Sequence, residues 1–238
     1  MSSTGDSLDG LRDLAWPSNR ELAIRDQRNC RQRLIVTPLD LSSTRSCLAI
    51  GVSYDRVNKT AVCAGIPCHL DATPLSEDYF LAESPVLFPY VPGLYVYRQG
   101  PAVIKLIHSL GWTPDLLIFD AQGVAHQRGF GLAAHIGVLL DKPSLGITRK
   151  RLFGSSAGCK QEDRAFAELL TPEGNPIGYE YRPNKHGPTL FASPGHRSDC
   201  ESLLQWLGNV RSFRAGLPLS LELAHSAANR HALRQNPQ

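Results

Sequence analysis

The sequence predicts one α/β domain, a mixed central sheet flanked by helices. Three observations carry this expectation. Two β-rich runs, CLAIGVSYD and TAVCAGI, flank the turn-like Arg56-Val57-Asn58-Lys59 and read as an antiparallel hairpin. Beyond Gly100, apolar residues at helical spacing alternate with short continuous apolar runs, the pattern of β–α units. Neither an internal repeat nor a second-domain linker divides the chain.

Residues 1–15 are polar and Ser/Gly-rich and are expected to be flexible. Trp16-Pro17-Ser18-Asn19 then supplies an N-cap signal for a charged helix reaching about Leu34. The hairpin follows, with a third strand expected within residues 79–84. Pro85, Pro89 and Pro92-Gly93 mark an exposed loop, because proline fixes φ and glycine tolerates positive φ. PAVIKLIHSLGW reads as a helix, DLLIFD as a strand, FGLAAHIGVLLD as a helix and SLGIT as a buried strand. A helix is expected over residues 161–170, strands near Tyr179 and over 189–192, and a helix over 199–213. The domain is expected to span residues 16–226, with a tail at 227–238.

With 238 residues, 42% of them hydrophobic, the chain can fill a core without disulfides. That composition excludes disorder, collagen and coiled coil. A net charge of +3 is too modest for a dedicated nucleic-acid wrapper. Six of the 25 basic residues are Lys and the remaining 19 are Arg, the better side chain for forked contacts with phosphate, sulfate or carboxylate. The cysteines at 30, 47, 63, 68, 159 and 200 form no CxxC pair, and the N-terminal residues show no basic stretch followed by an apolar one. A reduced, soluble, cytoplasmic protein is expected, with no membrane partner, since no window reaches the ~18 to 20 apolar residues that span a bilayer.

The most informative position is Asp120, which ends the apolar run LLIFD and precedes Ala121-Gln122-Gly123. Open α/β sheets bind ligands at the carboxyl ends of their strands, so Asp120 is expected to face a cleft. The segments PYVPGLYVYRQGP, AQGVAHQRGFGLAAHIGV and FASPGHRSDCESLL each mix backbone-shaping residues with groups able to grip an anion.

These segments, in this order, resemble the endonuclease V family, as do AIGVSYD, the candidate wedge PYVPG, the long stretch from Pro114 to Leu152 and LPLSLELA; the likeness covers roughly residues 15–225. The resemblance implies a ribonuclease H-like fold and divalent-metal cutting of nucleic acid near deaminated purines. It also exposes departures. The family pattern GVDVSY aligns its Asp with Gly51 of Ile50-Gly51-Val52-Ser53-Tyr54, and the Glu of the family's FRE segment aligns with Gln99 of Tyr97-Arg98-Gln99. Asp120 matches the third acidic position, alongside His196 in Pro194-Gly195-His196-Arg197. The family's Asp-Gly-x-Gly becomes Asp120-Ala121-Gln122-Gly123, and its His-Pro-Arg-basic segment becomes His126-Gln127-Arg128-Gly129.

Magnesium prefers hard oxygen ligands in near-ideal octahedral geometry, so one carboxylate and one amide make a poor site. On a regular strand Ser53 lies ~6.6 Å and Asp55 ~13 Å from Gly51, and neither restores the lost ligand. The expected assignment is therefore catalytic roles for Asp120, Gln99, Ser53 and His196, and substrate contacts from Gly51, Tyr90, Arg98, Gly123, His126, Arg128, Arg149 and Lys150. No cofactor is expected; Asp120 is the residual metal candidate, with weak Mg²⁺ or Mn²⁺ use only if nuclease activity persists. The leading expectation is a metal-independent enzyme acting on a small anionic phosphate or sulfate ester by substitution or ring closure. The alternative is a nuclease for, or non-cutting binder of, inosine-containing nucleic acid. A protein partner is compatible with the first of these readings.

Overall fold

The computed structural model describes residues 14–234. The flexible segment expected at 1–15 therefore lies almost wholly outside the described residues. Helix α1 (Arg20–Arg31) starts where Asn19 accepts a 3.0 Å hydrogen bond from the Leu22 amide, as its N-cap pattern predicts, and it stops three residues before Leu34. Strands β1 (Cys47–Asp55) and β2 (Thr60–Cys68) form the hairpin, followed by β3 (Phe80–Pro85). Next come α2 (Val96–His108), β4 (Leu116–Phe119), α3 (Leu132–Leu140) and β5 (Ser144–Thr148). Helix α2 begins earlier than the sequence suggests and takes Pro101 inside it.

The remaining elements are β6 (Ala165–Leu170), β7 (Pro176–Arg182), β8 (Leu190–Pro194), α4 (Cys200–Asn209), β9 (Phe213–Arg214), β10 (Leu217–Pro218) and α5 (Leu219–Arg234). Three expectations are corrected here. Residues 165–170 form an edge strand rather than a helix: AFAELL suits either state, and pairing with β7, reinforced by the Phe166–Tyr179 edge-to-face contact at 5.6 Å, decides for the sheet. Helix α4 stops at Asn209 because Phe213 enters the short β9–β10 pair. Helix α5 continues past residue 226 and buries Ala227, Ala228 and Ala232, so no tail begins at 227.

The eight-stranded sheet has the order β3-β2-β1-β4-β5-β8-β7-β6, with β1, β4 and β5 parallel and the other neighbours antiparallel. This is the mixed sheet expected. Strand periodicity sorts its two faces. Leu48, Ile50, Leu117 and Phe119 pack in the layer containing α2 and α3 residues, whereas Cys47, Ala49, Leu116 and Ile118 pack with Trp206 of α4 and Leu221 and Ala224 of α5. Gly51 and Ser53 share the parity of the second set and face α5. Among the described residues, no helix is long and apolar enough to cross a membrane.

Candidate functional site

Asp120 immediately follows β4, where the parallel strands end, and lines a pocket of about 510 Å³. Gly93, Tyr95 and Gln99 form part of its wall, Thr148, Arg149 and Lys150 another, and Gln122, His126 and His225 complete its polar lining. A larger groove of about 600 Å³ beside Trp16, Phe88 and Ile104 is mostly apolar and lacks this convergence of polar groups. The strand-end pocket is therefore the candidate site.

The Asp120 side chain is 15% exposed. His225 Nδ1 approaches its Oδ2 to 2.9 Å, near enough for an ion pair but not turned into a well-aligned hydrogen bond. Arg149 Nη1 stands 3.9 Å from the same oxygen, while its Nε donates to the Ala215 carbonyl at 3.0 Å. One carboxylate is thus met by an imidazole and a guanidinium at the mouth of the pocket.

Gly51 explains how α5 delivers His225. A Cβ at Gly51 would fall 2.6 Å from His225 Cα and 2.8 Å from the Ala224 carbonyl carbon. Helix backbone occupies the space where a side chain at position 51 would stand, which is the close approach that glycine permits. Asp55 does not substitute: it is buried, its Oδ1 accepts from the Val57 and Asn58 amides at 3.0 Å each, and it secures the hairpin turn. Gln99 reaches the pocket but contributes only an amide. The pocket thus offers one carboxylate, Asp120, flanked by His225 and Arg149, and one amide, from Gln99.

A second group fixes the loop before α2. The Gly93 carbonyl, at a residue with φ of 77°, receives hydrogen bonds from Gln27 Nε2 at 3.1 Å, His126 Nε2 at 3.0 Å and Arg128 Nη2 at 2.7 Å. Burial, reinforced by the Arg128 charge, pushes the His126 pKa down to about 4. The neutral ring can then donate from Nε2 while Nδ1 accepts from the Arg128 amide. At the loop's outer edge Tyr90 is 62% exposed, and its hydroxyl accepts from that of Tyr95 at 3.0 Å.

The expected residues therefore divide. Asp120, Gln99, His126, Arg149 and Lys150 line the pocket, and Tyr90 stands on the adjoining loop. The others are corrected. Ser53 bonds Asn229 of α5 through Oγ at 3.2 Å. His196 is buried, with Nδ1 accepting from the Ile35 amide and Nε2 3.0 Å from Asp141, whose pKa is held down to about 2, first of all by its hydrogen bond from Arg197. Gly123 packs on the Pro194 carbonyl and donates its amide to Ser193. Arg128 is spent on Gly93 and Gln27, and Arg98 on the Phe88 carbonyl and the Tyr54 ring. Gly51 contributes through its missing side chain and not through contact. The residues missed are His225, Gln27, Tyr95, Gln122 and Thr148. His225 directly follows LPLSLELA, but nothing local in sequence points it at Asp120.

The endonuclease V family model matches residues 28–226. Endonuclease V of Thermus thermophilus is 36% identical over 215 residues, covering 90% of this chain and 94% of its own. The crystal structure of the Streptomyces avermitilis endonuclease V superposes with a TM-score of 0.83 at 28% identity, covering 94% of this chain and 97% of that one. At 17% identity, Ciona intestinalis endonuclease V, solved in complex with a 24mer DNA containing an inosine followed by a ribo-adenosine, shares the fold with a TM-score of 0.73, covering 92% of this chain and 100% of its own. Matched along nearly its whole length in sequence and in fold, the chain belongs to the endonuclease V family.

Proposed function

We propose that this chain binds nucleic acid carrying a deaminated purine at the strand-end pocket without cutting it by metal-dependent hydrolysis. The observation that carries the reading is the pairing of an intact frame with an altered centre. The loop bearing Tyr90 is pinned through the Gly93 carbonyl beside a pocket rimmed by Arg149 and Lys150, while Gly51 and Gln99 offer no carboxylate and Asp120 lies against His225 and Arg149. The inosine-containing DNA bound by the Ciona protein supports the substrate class. The test is a single-inosine duplex incubated with Mg²⁺ or Mn²⁺ and, separately, a gel shift against the plain duplex at physiological salt. Retarded but uncut inosine duplex is expected; cutting, or equal weak binding to both duplexes, overturns the reading.

One observation favours a second reading, a metal-independent enzyme on a small phosphate or sulfate ester. Asp120, His225, Arg149 and Lys150 meet in one pocket of small-molecule size. There Asp120 or His225 would accept a proton from the attacking group as its bond to carbon forms, and Arg149 and Lys150 would receive the phosphate or sulfate that departs with the bonding electrons. Saturable binding of a phosphate or sulfate monoester, weakened in Arg149→Ala, supports it. No binding of either ester to the full-length protein rules it out.

A further inference from the structure

Away from the strand-end pocket, α1 and α3 bring together three metal-ligating side chains of different chemistry. Asp26 and Cys30, four residues apart on α1, share one helix face, and His135 of α3 meets them across the interface. One ligand atom from each lies within 4.8 Å of the others. None of the three lines the pocket of Asp120.

The imidazole supplies an independent observation. His135 is 1% exposed, its Nδ1 is buried without a hydrogen-bond partner, and its Nε2 stands 3.8 Å from Asp26 Oδ2, too long for a hydrogen bond. Nε2 is thus the nitrogen that faces the cluster with no hydrogen bond to hold it, while Nδ1 lies on the other edge of the ring. We infer that Asp26, Cys30 and His135 form a zinc-binding site with three protein ligands and one open position.

Zinc requires a somewhat tighter cluster than the one present. Tetrahedral bonds of about 2.0 to 2.3 Å separate ligand atoms by about 3.3 to 3.8 Å. Cys30 Sγ is 3.9 Å from Asp26 Oδ1 and His135 Nε2 is 3.8 Å from Asp26 Oδ2, and with one ligand atom from each residue the separations stay within 4.8 Å, so the side chains must draw inwards on closure. The Tyr97 hydroxyl, 2.8 Å from Asp26 Oδ2, orients the carboxylate as an outer partner. The Phe130 ring, its centroid 4.9 Å from that of His135, makes one wall dry. Asp26 is 42% exposed and provides the entry side. Burial, reinforced by the Asp26 carboxylate, pushes the Cys30 thiol up to about 11 against the Arg33 charge, so the metal must displace its proton. On binding, the Cys30 thiol releases its proton to solvent and zinc takes its place on sulfur.

Cobalt(II) titrated into chelator-treated full-length protein is the probe. An equimolar complex with tetrahedral visible bands and a thiolate-to-cobalt charge-transfer band is expected, bleached when Zn²⁺ displaces the cobalt. Cys30→Ser should remove the charge-transfer band. Asp26→Asn should weaken binding by more than the roughly 10- to 100-fold cost of losing an outer-shell partner. Both positions are partly exposed, and metal-free melting curves verify that the variants fold. Absence of the bands, or their survival in Cys30→Ser, overturns the inference. So does loss of the bands in Asp120→Asn, which would put the ion in the strand-end pocket.

Discussion

Restoring a carboxylate at position 51 should fail to restore a metal centre, because the space is already filled. The added Cβ would lie 2.6 Å from His225 Cα and 2.8 Å from the Ala224 carbonyl carbon, both helix backbone with no rotamer to move aside. Helix α5 would have to shift, disturbing Leu221, Ala224, Ala227 and Ala228, all buried. Replacing a strand glycine normally gains roughly 0.5 to 1 kcal/mol, while overpacking a dense interior costs typically about 1 to 3 kcal/mol. The clash is with backbone, so the cost prevails, leaving a net loss of about 1 to 2 kcal/mol for Gly51→Ala and more for Gly51→Asp. For a domain of this size that loss corresponds to a Tm lower by about 2 to 8 °C. Thermal melting of the wild type, Gly51→Ala, Gly51→Asp and Gly51→Asp/Gln99→Glu measures it, with inosine-duplex cleavage in Mg²⁺ run in parallel. If Gly51→Ala melts at or above the wild type, or the double variant cuts with an unchanged Tm, the argument that α5 closes the site is refuted.

Three further outcomes are expected. Lys150→Ala should weaken nucleic-acid binding at any sequence and reduce the slope of log K against log salt by about 1, measured by fluorescence anisotropy across salt concentrations. Tyr90→Ala should cost about 1 to 3 kcal/mol of binding if the ring stacks on a base, with an unchanged melting curve because the side chain is exposed; equal affinity would show that the loop does not act as a wedge. His126 has a folded pKa of about 4, below the unfolded value, so the unfolded chain binds more protons and this contribution is fully present only above about pH 6.5. Urea midpoints should therefore fall as pH drops from about 6.5 towards 4, and His126→Gln should flatten that part of the profile.

Much of the fold was legible locally. Asn19 starts its helix as a capping residue should, and the two β-rich runs pair across Arg56–Lys59 as expected. LLIFD and SLGIT became adjacent parallel strands. AFAELL misled because edge pairing with β7 outweighs a weak helical preference. Of the site, Asp120 at a strand end, and Gly51 and Gln99 as a glycine and an amide, were readable as residue types. His196 and Arg128 were not readable as scaffold, since a histidine or arginine in a polar loop looks the same whether its nitrogens are free or bound to Asp141, Gly93 and Gln27.

Residue type and periodicity were sufficient for the α/β class and the family resemblance, because each depends on side-chain chemistry or on spacing along a few residues. The docking of α5 belongs to the tertiary structure alone. Strand parity puts Gly51 on one face of β1, but which helix covers that face depends on burying Leu221 and Ala224 against Ala49 and Ile118, segments far apart in the chain. That packing brings His225 to Asp120 and fills the space beside Gly51 with helix backbone.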